Sequence, residues 1–87
     1  MIDLEHLKAV SGTGKEWRIK YIDRDGKHKQ WTGGITYVSD TPPRIRSLNY
    51  KMKGGINFIR ADRVISIKEV EHYYDEFGRS RYRVVRL

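Results

Sequence analysis

From Trp17 onward, apolar and polar residues alternate in short runs, and Gly-, Pro- or Asp-bearing turn signals separate one run from the next. A period of two sends successive side chains to opposite faces of an extended chain, so each run reads as a strand with one buried face. Helical spacing is confined to residues 2–10, where Leu4, Leu7 and Val10 recur at i, i+3 and i+6 and Asp3 and Glu5 stand in the first turn. A chain of this pattern folds as one short helix followed by small antiparallel strands.

The first strand begins near residue 17, with Trp17, Ile19 and Tyr21 on one face and Arg18 and Lys20 on the other. Residues 23–26, "DRDG", form a turn in which Asp25-Gly26 is the hairpin signal. The second strand covers about 27–38, with Trp31, Ile35 and Tyr37 sharing a face, and Gly33-Gly34 within it marks a bulge or sharp bend. The two prolines of residues 39–44 imply a loop. Further strands follow at 44–50, 56–60 (Ile56 and Phe58 facing one way), 64–74 and 81–87, joined by turns at 51–55, 61–63 and 75–80. Six short strands with glycine at the bends suit a small closed or half-open β-barrel.

With 87 residues there is room for one domain. A domain of this size buries only about 60–65% of the surface its unfolded chain exposes. Six Tyr, two Trp and two Phe within a 38% hydrophobic fraction supply one core and argue against disorder. The absence of cysteine excludes a disulfide framework, a thiolate nucleophile and a Cys-based zinc site. No apolar stretch approaches the ~20 residues of a membrane span, and "MIDLEHLKAV" lacks the pattern of a signal peptide. The expectation is a soluble, cytoplasmic protein without membrane partners.

The stretch 16–70 resembles the YolD-like family, an Sm-like small-barrel group. The matching residues are Tyr21, Asp25-Gly26, "TGGI" (32–35) and "INFIRADRVISI" (56–67), in which Ile56, Phe58, Val64 and Ile67 fill the apolar places. Ligand-binding domains of the WYL type share a similar "FRxDRI" ending on a related barrel. The basic balance and the extra C-terminal hairpin depart from the family pattern. The resemblance implies a fold and no particular chemistry. The expected architecture is an N-terminal helix with linker (1–14), a bent five-stranded Sm/SH3-like barrel (16–70) and an added C-terminal β-hairpin (71–87), all in one domain.

Catalytic and cofactor signals are weak. "SGTGK" (11–15) lacks the preceding strand, the following helix and the Ser or Thr of a phosphate-binding loop, and reads as a helix-to-strand linker. His6, His28 and His72 lie on different elements without metal-ligand spacing. The acids Glu69, Glu71, Asp75 and Glu76 near His72 are placed to answer the arginines across the last hairpin. Nothing groups a nucleophile with a base and an oxyanion device, so no enzyme, cofactor or metal is expected.

The basic residues are the informative part. The net charge is +7, which favours polyanionic partners. Between residues 27 and 53 stand Lys27, Lys29, Arg44, Arg46, Lys51 and Lys53 against the single acid Asp40. On the last strand Arg79, Arg81 and Arg83 share parity and project from one face at ~6.6–6.8 Å intervals, a spacing able to track phosphates. Tyr50 and Tyr82 are the candidate stacking residues. Trp17, Trp31, Ile35 and Phe58 are expected in the core rather than on a binding surface. Charges on an outer strand also deter edge-to-edge pairing, but that role needs no particular sign, whereas this strand is uniformly Arg. The expectation is a non-enzymatic, largely sequence-tolerant module binding DNA or RNA through phosphate. The alternative is a small bacterial or phage adaptor or regulator that binds an acidic protein through a strand edge. Oligomerisation through such edges stays open.

Overall fold

The computed structural model describes residues 2–51 and 55–85. The fold is mainly β with one short helix, as the alternation requires. Helix α1 spans Leu4–Val10 and is capped by Asp3, whose Oδ1 accepts the Glu5 N–H at 3.2 Å. The segment is tied at both ends: the Ile2 N–H donates to the Val64 carbonyl and the Gly12 N–H to the Ile35 carbonyl. Leu7 is fully buried, and Leu4 and Val10 pack beside it.

Six strands follow: β1 (Glu16–Ile22), β2 (His28–Asp40), β3 (Pro43–Leu48), β4 (Ile56–Arg60), β5 (Val64–Tyr74) and β6 (Ser80–Val84), with a 3-10 turn at Ala61–Arg63 between β4 and β5. They form one antiparallel sheet in the order β4-β3-β2-β1-β5-β6. Among the described residues β4 and β6 are its margins, so the ladder is an open six-stranded sheet, where a closed or half-open five-stranded barrel with an added C-terminal hairpin was expected.

The long strand β2 organises the sheet. It pairs with β1 as far as Trp17↔Gly33 and with β3 from Gly34↔Leu48, so the change of partner falls at the glycine pair. The two halves fold toward each other there, and one core fills the angle: Ile19 from β1, Ile35 from β2, Ile45 from β3, Ile59 from β4, Val64 from β5 and Leu7 from α1. Each such side chain contributes about 1.5–3 kcal/mol by leaving water. Trp17 and Ile35 lie in this core and Trp31 packs against it. Glycine at 33 is imposed by crowding, since a Cβ there would stand 2.7 Å from the Leu48 carbonyl oxygen and 2.8 Å from both Ser47 Oγ and Trp31 Nε1.

Two local expectations are corrected. The connection at 39–44 is a two-residue turn at Thr41-Pro42, because Pro43 opens β3, where its missing N–H is tolerated, and pairs with Asp40. The turn expected at 23–26 is present, as a three-residue loop of Arg24, Asp25 and Gly26 between Asp23 and Lys27. Asp23 N–H donates to the Lys27 carbonyl, and Gly26 alone takes positive φ, at 78°.

The second correction concerns faces. A register shift between Ile35 and Tyr37 lets Ile35 oppose Ser47 and Tyr37 oppose Arg46, so Thr36 is an extra residue and parity reverses. Val38 thereby packs against the core, while Tyr37, expected on the Trp31 and Ile35 face, is 58% exposed. Phe58, expected in the core, is 62% exposed, because the pairing Ile45↔Ile59 gives the inward place on β4 to Ile59.

Candidate nucleic-acid interface

The outer face of β2, β3 and β4 is built by alternation around buried isoleucines. On β3, Ile45 and Ser47 point inward, which turns Arg44, Arg46 and Leu48 outward. Pairing carries this outward row to both neighbours. Tyr37, Arg46 and Phe58 are successive cross-strand partners, and Arg44 lies opposite Arg60. With neighbouring strands about 4.8 Å apart, Tyr37 and Phe58 are separated by about 10 Å, with Arg46 between them. Ile56, 56% exposed, continues the apolar surface along β4.

Arg46 is oriented rather than neutralised. Its Nε donates to Thr36 Oγ1 at 3.0 Å, and Thr36 Oγ1 donates to the Arg46 carbonyl at 3.1 Å. Among the described residues neither Arg44 nor Arg46 meets a carboxylate. Arg60 is held in a two-pronged contact with Asp62, at 2.7 and 3.1 Å, and that guanidinium holds the Asp62 carboxyl below its ordinary range. Beyond Phe58 a cleft of about 410 Å³ opens between β4 and the β1–β2 turn, walled by Tyr21, Ile22, Phe58 and Ile59 and bordered by Arg24, Arg60 and Arg63 together with the acid Asp23. The cleft wall is fixed by Arg63, whose Nη1 donates to the Asp23 carbonyl at 2.8 Å.

The other expected site residues are dispersed. Lys27 and Lys29 are exposed around the β1–β2 turn. Tyr50 is 92% exposed. It is thrown outward because its neighbour Asn49 is locked inside, donating from Nδ2 to the Thr32 carbonyl at 2.7 Å and accepting the Lys51 N–H at Oδ1. Lys51 is paired with Glu16 at 3.2 Å, which raises its pKa. Lys53 lies outside the described residues.

On the C-terminal hairpin Arg81 and Arg83 keep the expected common parity along β6 but meet acids, while Arg79, expected on this strand, falls in the turn before it. Arg81 Nε contacts Asp75 Oδ2 at 3.1 Å, and Arg83 Nε contacts Glu71 Oε1 while its guanidinium lies 4.8 Å from the Tyr73 ring centre. Arg79 stacks on Phe77 at 5.4 Å. Tyr82 is half-buried against His72, and its hydroxyl accepts from Asn49 Nδ2 at 3.2 Å. The strand with the densest arginines is therefore the better neutralised.

A second cleft, also about 410 Å³, lies beside the "SGTGK" linker, but its cations are committed: Lys15 to Glu69 and Lys51 to Glu16. Among the described residues no three His, Asp or Glu side chains gather as a metal site. His72 Nε2 instead bonds Ser80 Oγ. No helix among them is long and apolar enough to cross a membrane.

Sequence reading missed Tyr37, Phe58, Arg24, Arg60 and Arg63. The available signal was "RIRSL" beside "INFIR": Ile45 and Ile59 as the inward pair would have set Arg46 and Phe58 outside together. No protein-family model matches the chain, and no curated protein or solved structure is significantly similar to it.

Proposed function

We propose that the chain is a non-enzymatic nucleic-acid-binding module whose bent sheet is a half-open barrel of the Sm/SH3-like kind, in keeping with the YolD-like resemblance of residues 16–70. One observation carries the reading: Arg44 and Arg46, without acidic partners among the described residues, share an open sheet face with exposed Tyr37 and Phe58. Guanidinium groups bind phosphate in two-pronged fashion, and exposed rings offer stacking surfaces. Recognition is largely sequence-tolerant, because α1 is short and packed by Leu7 into the core, leaving no helix for a major groove. Lys27 and Lys29 add charge at the neighbouring turn. Arg79, Arg81 and Arg83, with Tyr82, are secondary, since Arg81 and Arg83 would have to exchange carboxylates for phosphate.

Fluorescence anisotropy with labelled DNA and RNA, titrated from low to physiological salt, tests this. Four phosphate contacts give a slope of log K against log[salt] of about −3 on a single strand and about −4 on duplex DNA. Arg44→Glu with Arg46→Glu is expected to weaken binding by at least about tenfold. Absence of binding at low salt removes the reading.

A second reading, an acidic protein adding a strand, is favoured by the position of β4 at the sheet margin. A pulldown that retains a protein partner, loses it on Arg44→Glu/Arg46→Glu and is indifferent to nuclease distinguishes it.

A further inference from the structure

We infer that the polyanion taken by the β2–β3–β4 face is single-stranded, with one base on Tyr37, another on Phe58 and Arg46 at the phosphate between them. This rests on the nucleic-acid reading above and narrows it. Tyr37 and Phe58 flank Arg46 across β3, about 10 Å apart. In a duplex each strand's bases repeat every ~3.4 Å, their faces are covered by their neighbours, and only their edges reach the grooves. Rings about 10 Å apart on a sheet cannot reach those faces, but they suit two bases splayed from a flexible strand. The cleft beyond Phe58 extends the track. Its Tyr21 and Ile22 wall takes a further base and the Arg24 and Arg63 rim its phosphate.

Charge selects this occupant over a second copy of the chain. A two-fold pairing of this face would set Arg44, Arg46 and Arg60 against their own equivalents. An acidic protein would satisfy the guanidinium groups but offers no run of flat rings for Tyr37 and Phe58.

The test measures affinities of the full chain for an oligothymidylate, an oligouridylate and a mixed-sequence duplex of equal length. The variants are Tyr37→Ala, Phe58→Ala, Phe58→Tyr and Arg44→Glu/Arg46→Glu, with thermal melts to check folding. Both rings are exposed, so their removal leaves the core intact. The expected result is at least about tenfold preference for single strands and about tenfold loss on each alanine change at an unaltered salt slope, with Phe58→Tyr retaining affinity. Equal binding of duplex and single strand overturns the inference. So does full single-strand affinity in Tyr37→Ala and Phe58→Ala while Arg44→Glu/Arg46→Glu abolishes it; either result leaves the broader nucleic-acid reading standing. A dimer broken by Phe58→Ala also overturns it. No binding of any nucleic acid at low salt overturns both.

Discussion

Gly33 is the residue on which the bend of β2 turns. Above it a short chain of hydrogen bonds runs from Trp31 Nε1 to Ser47 Oγ at 2.9 Å and from Ser47 Oγ to the Gly34 carbonyl at 2.7 Å. A methyl group at 33 would have to displace that chain and the Leu48 backbone together. Gly33→Ala is therefore expected to destabilise the fold by about 1–3 kcal/mol in urea unfolding, with a midpoint shift and little change in slope. Ser47→Ala tests the same spot differently. It leaves the indole N–H of Trp31 without its partner and is expected to cost about 1–3 kcal/mol. Tyr37→Ala, by contrast, removes an exposed ring and is expected to leave stability within about 0.5 kcal/mol, so its effects belong to binding. At this scale the glycine pair was legible as a bend, because two glycines inside a β-branched run have few other uses. The outward turn of Tyr37 was not legible. One extra residue in β2 reverses parity, and that residue, Thr36, is itself an ordinary strand former.

At the scale of elements, the two long hairpins close with the same device. Asp23 and Asp75 each accept two backbone N–H groups on Oδ1, from Asp25 and Lys27 and from Phe77 and Arg79, and each loop ends on a glycine with φ of 78° or 75°. L-residues with a Cβ pay about 1–2 kcal/mol in that conformation, so Gly78→Ala is expected to loosen the β5–β6 hairpin. The Arg79 backbone N–H and then the Arg81 side chain hold the Asp75 carboxyl below its ordinary value of 3.8. A lowered folded-state pKa stabilises above the ordinary value and is lost as pH falls through the folded one. Protection of the Ser80–Val84 amides, taken relative to their intrinsic exchange rate at each pH, is therefore expected to be full near neutrality and to fall below about pH 4. Asp75→Ala should show the reduced protection already at pH 7. The same hairpin bears on function: Arg81→Glu/Arg83→Glu is expected to weaken nucleic-acid binding less than Arg44→Glu/Arg46→Glu does. Strand positions were largely readable from alternation and turn residues, down to β4 and β5. The faces of β4 were not, since both parities carry an apolar residue and only the register against Ile45 assigns the inward place to Ile59.

For the whole molecule, a net charge of +7 is less informative than its distribution. Carboxylates spread along the chain return to particular cations: Asp40 to Lys8, Glu16 to Lys51, Glu69 to Lys15, Glu71 to Arg83 and Asp75 to Arg81. Such exposed pairs stabilise little, but they determine which positive charges stay available. Counting arginines along the sequence favours the last strand; pairing them in space favours β3. A binding face here is a property of register and of long-range ion pairing, neither of which a local pattern encodes. Backbone amide shift mapping during titration with a short oligothymidylate tests this central claim most directly. The largest shifts are expected at Tyr37, Arg44, Arg46 and Phe58, continuing to Arg24 and Arg63, with small ones along β6. Shifts confined to Ser80–Val84, or none at saturating oligonucleotide, would contradict it.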